Sequence, residues 1–87
     1  MKPFDAALAA SLDTPVVVID LEIAQKNIDR LQAACEAAGV GNRPHIKTHK
    51  SPSMMKRQLD AGAIGITCQK LGEAEAMANG GATDILI

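Results

Sequence analysis

The segment Arg43-Pro44-His45-Ile46-Lys47-Thr48-His49-Lys50-Ser51-Pro52 holds the residue types best suited to chemistry in this 87-residue chain. No acidic residue occurs between Glu36 and Asp60, yet Arg43, Lys47, Lys50, Lys56, Arg57 and both histidines fall inside that interval. A one-signed cluster concentrates counter-charge, so an anionic ligand is expected even on a chain of net charge -1. A lysine serves as nucleophile or imine former only when unprotonated, and its reference pKa of about 10.4 opposes that at neutral pH. Burial and neighbouring cations both lower the value. Lys47, at the expected tip of a strand with Arg43, His45 and His49 close by, is therefore the leading catalytic candidate. A solvated edge strand with a basic rim is the competing account.

His45 and His49 are four residues apart but flank a strand end rather than share a helix face. No carboxylate accompanies them, so no metal ligand is assigned within the chain. They are expected either to line the strand mouth as hydrogen-bonded polar residues or to orient Lys47. Gln69 and Lys70 follow a later strand and should emerge at the same edge; Gln69 is a ligand-bonding candidate, or else a helix cap. Gly80-Gly81 lacks the spacing of a phosphate loop and marks a helix stop.

The elements that must place these residues alternate. Residues 1–13 carry no periodic pattern and form either a helical lead-in or a loose arm. Thr14-Pro15 opens Val16-Val17-Val18-Ile19, a β-branched run expected to be a buried strand. Asp20 caps a helix whose apolar stripe is Ala24, Ile28, Leu31, Cys35 and Ala38, with Gln25, Lys26, Asp29, Arg30, Gln32 and Glu36 facing solvent. Gly39 or Gly41 stops it. A second strand covers 43–47, with Arg43, His45 and Lys47 on one face and Pro44, Ile46 and Thr48 on the other.

Ser51 and Pro52 then suit the cap and first position of a helix that places Met55 and Leu59 inward and ends at Gly62. A third strand covers 63–68. Glu73 and Glu75 mark the first turns of a third helix, where negative charge suits the macrodipole. A fourth strand begins at 84–87. The order β-α-β-α-β-α-β implies an α/β fold with parallel pairing and right-handed crossovers. The chain stops inside an apolar strand, as expected for the front of a longer protein.

Composition removes several classes. The 47% hydrophobic share includes one Phe and no Trp or Tyr, so aliphatic side chains must fill the core. Without aromatic residues to stack bases, the basic cluster does not suit nucleic acid. The amino-terminal apolar run is short and broken by Asp5 and Asp13, which fits neither a signal peptide nor a membrane span. Cys35 and Cys68 are expected to be buried, reduced thiols, and the location cytoplasmic.

Four stretches, "TPVVVIDLEIAQKNI", "RPHIKTHKSP", "CQKLGEAEAMANGG" and "TDILI", together resemble the front of the fold-type III pyridoxal-phosphate enzymes. These are the alanine-racemase-like barrels, here in the branch of D-threonine aldolase, D-serine dehydratase and 3-hydroxy-D-aspartate aldolase. The resemblance runs over about residues 14–87. It implies the N-terminal part of a (β/α)8 TIM-type barrel, with the barrel starting at Arg43. Residues 14–42 would precede it, the strand 16–19 joining a C-terminal β domain, and 43–87 would form the first βα units.

The resemblance further implies that the first lysine of the H-x-K-x-H-K pattern, Lys47, forms the Schiff base with pyridoxal 5'-phosphate, and that Lys50 does not. His45 and Gln69 join Lys47 as cofactor-binding candidates. The phosphate ligands and a divalent-metal site would lie beyond Ile87. The expected parent is a homodimeric lyase acting on small D-3-hydroxy amino acids, with the 87-residue piece inactive alone. A D-serine dehydratase, a racemase of the same fold and a non-catalytic cofactor-binding barrel are the alternatives.

Overall fold

The computed structural model describes residues 5–87, so residues 1–4 of the expected lead-in lie outside the described residues. The rest of that lead-in holds a short helix, α1 (Ala6–Ser11). Its cap is Asp5, whose carboxylate accepts the Ala7 and Leu8 N–H groups at 2.8 and 3.2 Å.

The longer helices start and stop where local capping chemistry dictates. Asp20 accepts the N–H groups of Glu22 and Ile23 at 3.1 and 3.2 Å and opens α2 (Leu21–Ala38). Gly39, at φ 70, closes it in a left-handed conformation that glycine adopts at little cost. Ser51 Oγ accepts the Met54 N–H at 3.2 Å ahead of Pro52, the first residue of α3 (Pro52–Ala61). The last helix, α4 (Leu71–Asn79), follows Lys70, which makes no side-chain cap.

The strands are shorter than expected. β1 (Ile66–Thr67) and β2 (Ile85–Leu86) pair in parallel, Ile66 opposite Ile85 and Thr67 opposite Leu86. On the other side of β1, His45 pairs in parallel with Thr67. The Ile46 N–H donates to Thr67 O at 3.0 Å and the Thr67 N–H to Pro44 O at 2.9 Å. The expected strand over 43–47 thus contracts to its middle, those over 63–68 and 84–87 to two residues each. Neighbours in sequence are neighbours in the sheet, with α3 and α4 as the crossovers, so this is α/β parallel architecture. Gly65 permits the close pairing: a Cβ there would lie 2.5 Å from Asp84 O.

Ile46, Met55, Ile66, Cys68, Ala74, Met77 and Ala82 form the core, with Leu59 and Ile85 packed at its edge. Two expectations fail outside it, the second only in part. The run Val16-Val17-Val18-Ile19 forms no strand, and Val17 is 89% exposed, because no other described segment offers its backbone a partner. The inward stripe of α2 holds in part: Ala24, Ile28 and Cys35 are partly buried, whereas Leu31 and Ala38 are exposed and Gln32 is buried. Gln32 Nε2 donates to Gly62 O at 3.2 Å, and Asn42 Nδ2 donates to Gln32 Oε1 at 3.4 Å. These bonds satisfy the buried Gln32 amide from Gly62 at the end of α3 and from Asn42 after α2.

Candidate active site

Lys47 begins the turn 47–49 directly after Ile46, which is fully buried. Ile46 O accepts both the His49 and Lys50 N–H groups, at 3.3 and 2.8 Å, and Lys50 takes a left-handed φ of 51. The chain therefore reverses sharply on a buried anchor, and Lys47 projects from the start of the reversal. Its side chain is exposed, not buried at a strand tip as expected, because the ladder ends one residue earlier. No hydrogen bond or ion pair engages its ammonium among the described residues.

Both histidines fasten this turn. His45 Nδ1 accepts the Lys47 N–H at 3.2 Å. His49 Nδ1 accepts the Ser51 N–H at 2.9 Å, so in the neutral ring Nε2 carries the proton and donates to Gln58 Oε1 at 3.0 Å. The structural alternative holds for His49, a hydrogen-bonded clasp to α3. His45 is the one in contact with Lys47.

Arg43 does not join Lys47. Its Nη1 lies 2.9 Å from Asp84 Oδ1 and also donates to Ile66 O at 3.3 Å. It is held at the amino end of the ladder, whereas Lys47 leaves the carboxyl end. The stretch without acids in sequence is thus not free of them in space: Asp84 takes Arg43, and Glu73 takes Lys50.

Glu73 is the residue that sequence reasoning undervalued, by treating it only as a favourable charge in a first turn. Its side chain is 6% exposed. Oε1 accepts the Gln69 N–H at 2.8 Å, and Oε2 lies 3.5 Å from Lys50 Nζ. Oε2 is buried, and its one close partner is the Lys50 ammonium, at a distance too long for a strong hydrogen bond. The Gln69 N–H, with Lys50 and Lys70 behind it, outweighs burial and holds the Glu73 carboxyl below the usual glutamate value. Burial, then Glu73, pushes the Cys68 thiol up. A partial signal existed: an acid at the third helical position can reach back past the helix start, here to the Gln69 N–H, although Lys70 lacks the hydroxyl of a full capping box.

Gln69 is exposed and follows β1. His45 pairs with Thr67, so Lys47 and Gln69 each follow the paired residue of their own segment by two positions, both beyond the end of the ladder. Among the described residues no group of three or more His, Cys, Asp or Glu gathers to hold a metal ion. A groove of about 500 Å³ between α2 and α3, lined by Gln25, Asp29, Ser53, Lys56, Arg57 and Asp60, excludes Lys47, His45 and Gln69.

No family model matches the chain. It is 51% identical over 76 residues to the D-threo-3-hydroxyaspartate dehydratase of Delftia sp. strain HT23, a match covering 87% of this chain and 20% of the dehydratase. The D-threonine aldolase of an Arthrobacter species is 44% identical over 78 residues, covering 90% of this chain and 21% of the aldolase. The solved D-threonine aldolase of Filomicrobium marinum superposes with a TM-score of 0.81 at 38% identity, over 84% of this chain and 20% of that one. The chain is homologous to the front part of the fold-type III pyridoxal-phosphate enzymes.

It spans about one fifth of the length of these fold-type III relatives. The solved Delftia dehydratase superposes with a TM-score of 0.83, over 86% of this chain. A further structure of that dehydratase is a variant described as metal-free. The fold-type III relatives are named as aldolases and dehydratases, which are lyases. No helix among the described residues is long and apolar enough to cross a membrane.

Proposed function

We propose that this chain supplies the cofactor lysine of a pyridoxal-phosphate lyase acting on D-3-hydroxy amino acids, and that Lys47 is that lysine. The observation that carries the reading is an unpartnered lysine side chain on a fastened turn. Lys47 Nζ has no partner among the described residues, while its backbone is clamped by His45 and its turn by Ile46 and His49. The aldehyde of the cofactor needs such an amine, presented without a competing carboxylate. When bound, the cofactor supplies an electron sink for the substrate.

The remaining roles belong to this chain's own groups. His45 orients the Lys47 backbone. Gln69, just past the carboxyl end of the neighbouring strand, offers a side-chain amide to the cofactor or substrate. Ligands for the phosphate and for a divalent metal are assigned to the portion of the relatives that this chain does not span. The ladder 44–46, β1, β2 corresponds in this reading to the first strands of a (β/α)8 barrel, in which carboxyl strand ends carry the chemistry. Residues 14–42 precede the barrel, and 43–87 form its first βα units. A homodimeric, cytoplasmic parent completes the proposal; two unpaired cysteines suit a reducing compartment.

Borohydride reduction of the cofactor-loaded protein that carries this chain, followed by peptide mapping, tests the assignment. The expected result is a pyridoxyl group on Lys47. A label on Lys50, or on neither lysine, overturns it. Lys47→Ala should lower turnover of D-threonine or D-3-hydroxyaspartate by at least roughly a thousandfold while leaving the fold intact.

A further inference from the structure

We propose that Glu73 is a positioning residue that locks the two adjacent strand mouths together through Lys50 and Gln69. This inference rests on the assignment of the cofactor to Lys47 and adds a residue to it. One carboxylate spans two segments that are distant in sequence. Oε1 holds the Gln69 N–H at 2.8 Å, immediately after β1, and Oε2 faces Lys50 Nζ at 3.5 Å, at the end of the turn that begins with Lys47.

The chemistry of this contact is uneven in a way that packing alone does not account for. A buried carboxylate oxygen without a hydrogen bond is unfavourable, and such groups are rare in folded chains. Here the only compensation for Oε2 is the ammonium of Lys50, at a distance too long for a strong hydrogen bond. Lys50 in turn sits at φ 51, a conformation that non-glycine residues adopt only where the surroundings demand it. The pairing therefore joins a buried, under-satisfied anion to a strained residue three positions after Lys47. Breaking it frees the turn to relax and shifts where the Lys47 amine points.

Charge adds a second consequence. With Glu73 present, the Lys50 cation is balanced; without it, Lys50 presents an unbalanced positive charge beside the Lys47 turn. The other ionisable groups here are Lys70 and Cys68, facing Glu73, and His45 and His49 on the turn's own segment. None of them is itself substituted in the variants below, though Glu73→Gln removes the anion that helps raise the Cys68 thiol.

The test uses the intact protein carrying this chain, loaded with pyridoxal phosphate, in three variants: Glu73→Gln, Lys50→Met and the double substitution. The readout is the pH midpoint of the visible absorbance of the bound cofactor, with kcat and KM recorded alongside. Glu73→Gln keeps an acceptor for the Gln69 N–H but removes the anion, so the midpoint should fall by roughly half a unit. Lys50→Met, made from the exposed side of the pair, should raise it by a similar amount. The double variant should return close to the wild-type midpoint. In Glu73→Gln, kcat should drop about tenfold with KM little changed, as expected for a misplaced reacting group.

Midpoints that stay at the wild-type value in the folded variants would leave Glu73 with a purely structural role and overturn the inference. So would shifts of the same sign in both single variants. If Glu73→Gln does not fold, Lys50→Met decides the question alone. Failure of the underlying assignment reads differently, as a borohydride label away from Lys47.

Discussion

Two β-branched apolar runs in this chain meet opposite fates. Residues 16–19 read Val-Val-Val-Ile and lie exposed and unpaired, with Val17 89% accessible. Residues 64–68 read Ile-Gly-Ile-Thr-Cys, are less apolar, and bury Ile66 completely between two parallel neighbours. Hydrophobic content does not separate them. The second run has backbone partners at Pro44, Ile46, Asp84 and Leu86, and two helices to cover it. Strand character is a property of a pairing, and propensity only makes a segment eligible for one.

The sharpest way to break this comparison is to truncate both runs in the 87-residue chain. Ile66→Ala should cost about 2 to 5 kcal/mol, because it opens a cavity in the core between α3, α4 and the ladder. Val17→Ala should stay within about 0.5 kcal/mol. Denaturant melts of the two variants measure both, and equal losses would mean that 16–19 is packed in solution.

A smaller effect is expected at the open end of the ladder. Arg43 ties the segment before the first strand to Asp84 and to Ile66 O, with its side chain 26% exposed. Arg43→Ala should cost about 1 kcal/mol, more than an exposed surface pair and less than a core residue. The Lys56–Asp60 pair, exposed on α3, is the internal control and should contribute a few tenths. Melts of both variants test the ranking.

The smallest effect is one of pH. The Glu73 carboxyl is held below its ordinary value in the folded chain, first by the Gln69 N–H and then by Lys50. A depressed acid stabilises the fold above its unfolded pKa, about 4.3, and that contribution is lost as pH falls through the lower folded value. Cys68 runs the other way: its raised thiol favours the fold below about pH 8.5, a contribution lost as pH rises through the folded value. Urea midpoints recorded against pH should show an acid limb that Glu73→Gln flattens.

What the sequence determined by itself is everything set within one turn of chain. Asp20, Ser51, Gly39 and Gly62 bound their helices where residue type requires, since capping bonds reach only two to four residues. Lys47 could be singled out, with its histidine neighbours, because the cluster is contiguous. The family was legible for the same reason: its motifs are local strings.

Tertiary structure decided what depends on distant partners. It buried Gln32 and exposed Leu31 on α2, with Gly62 and Asn42 satisfying the Gln32 amide. It left 16–19 unpaired and shortened every other strand to the residues with a neighbour in register. It turned Glu73 from a helix-end charge into a buried tie between Gln69 and Lys50, and sent Arg43 to Asp84 at the far end of the ladder. The side-chain ties Gln32–Gly62, Lys50–Glu73 and Arg43–Asp84 span 23 to 41 residues, beyond what any pattern along the chain can encode, whereas the Gln69–Glu73 bond is local.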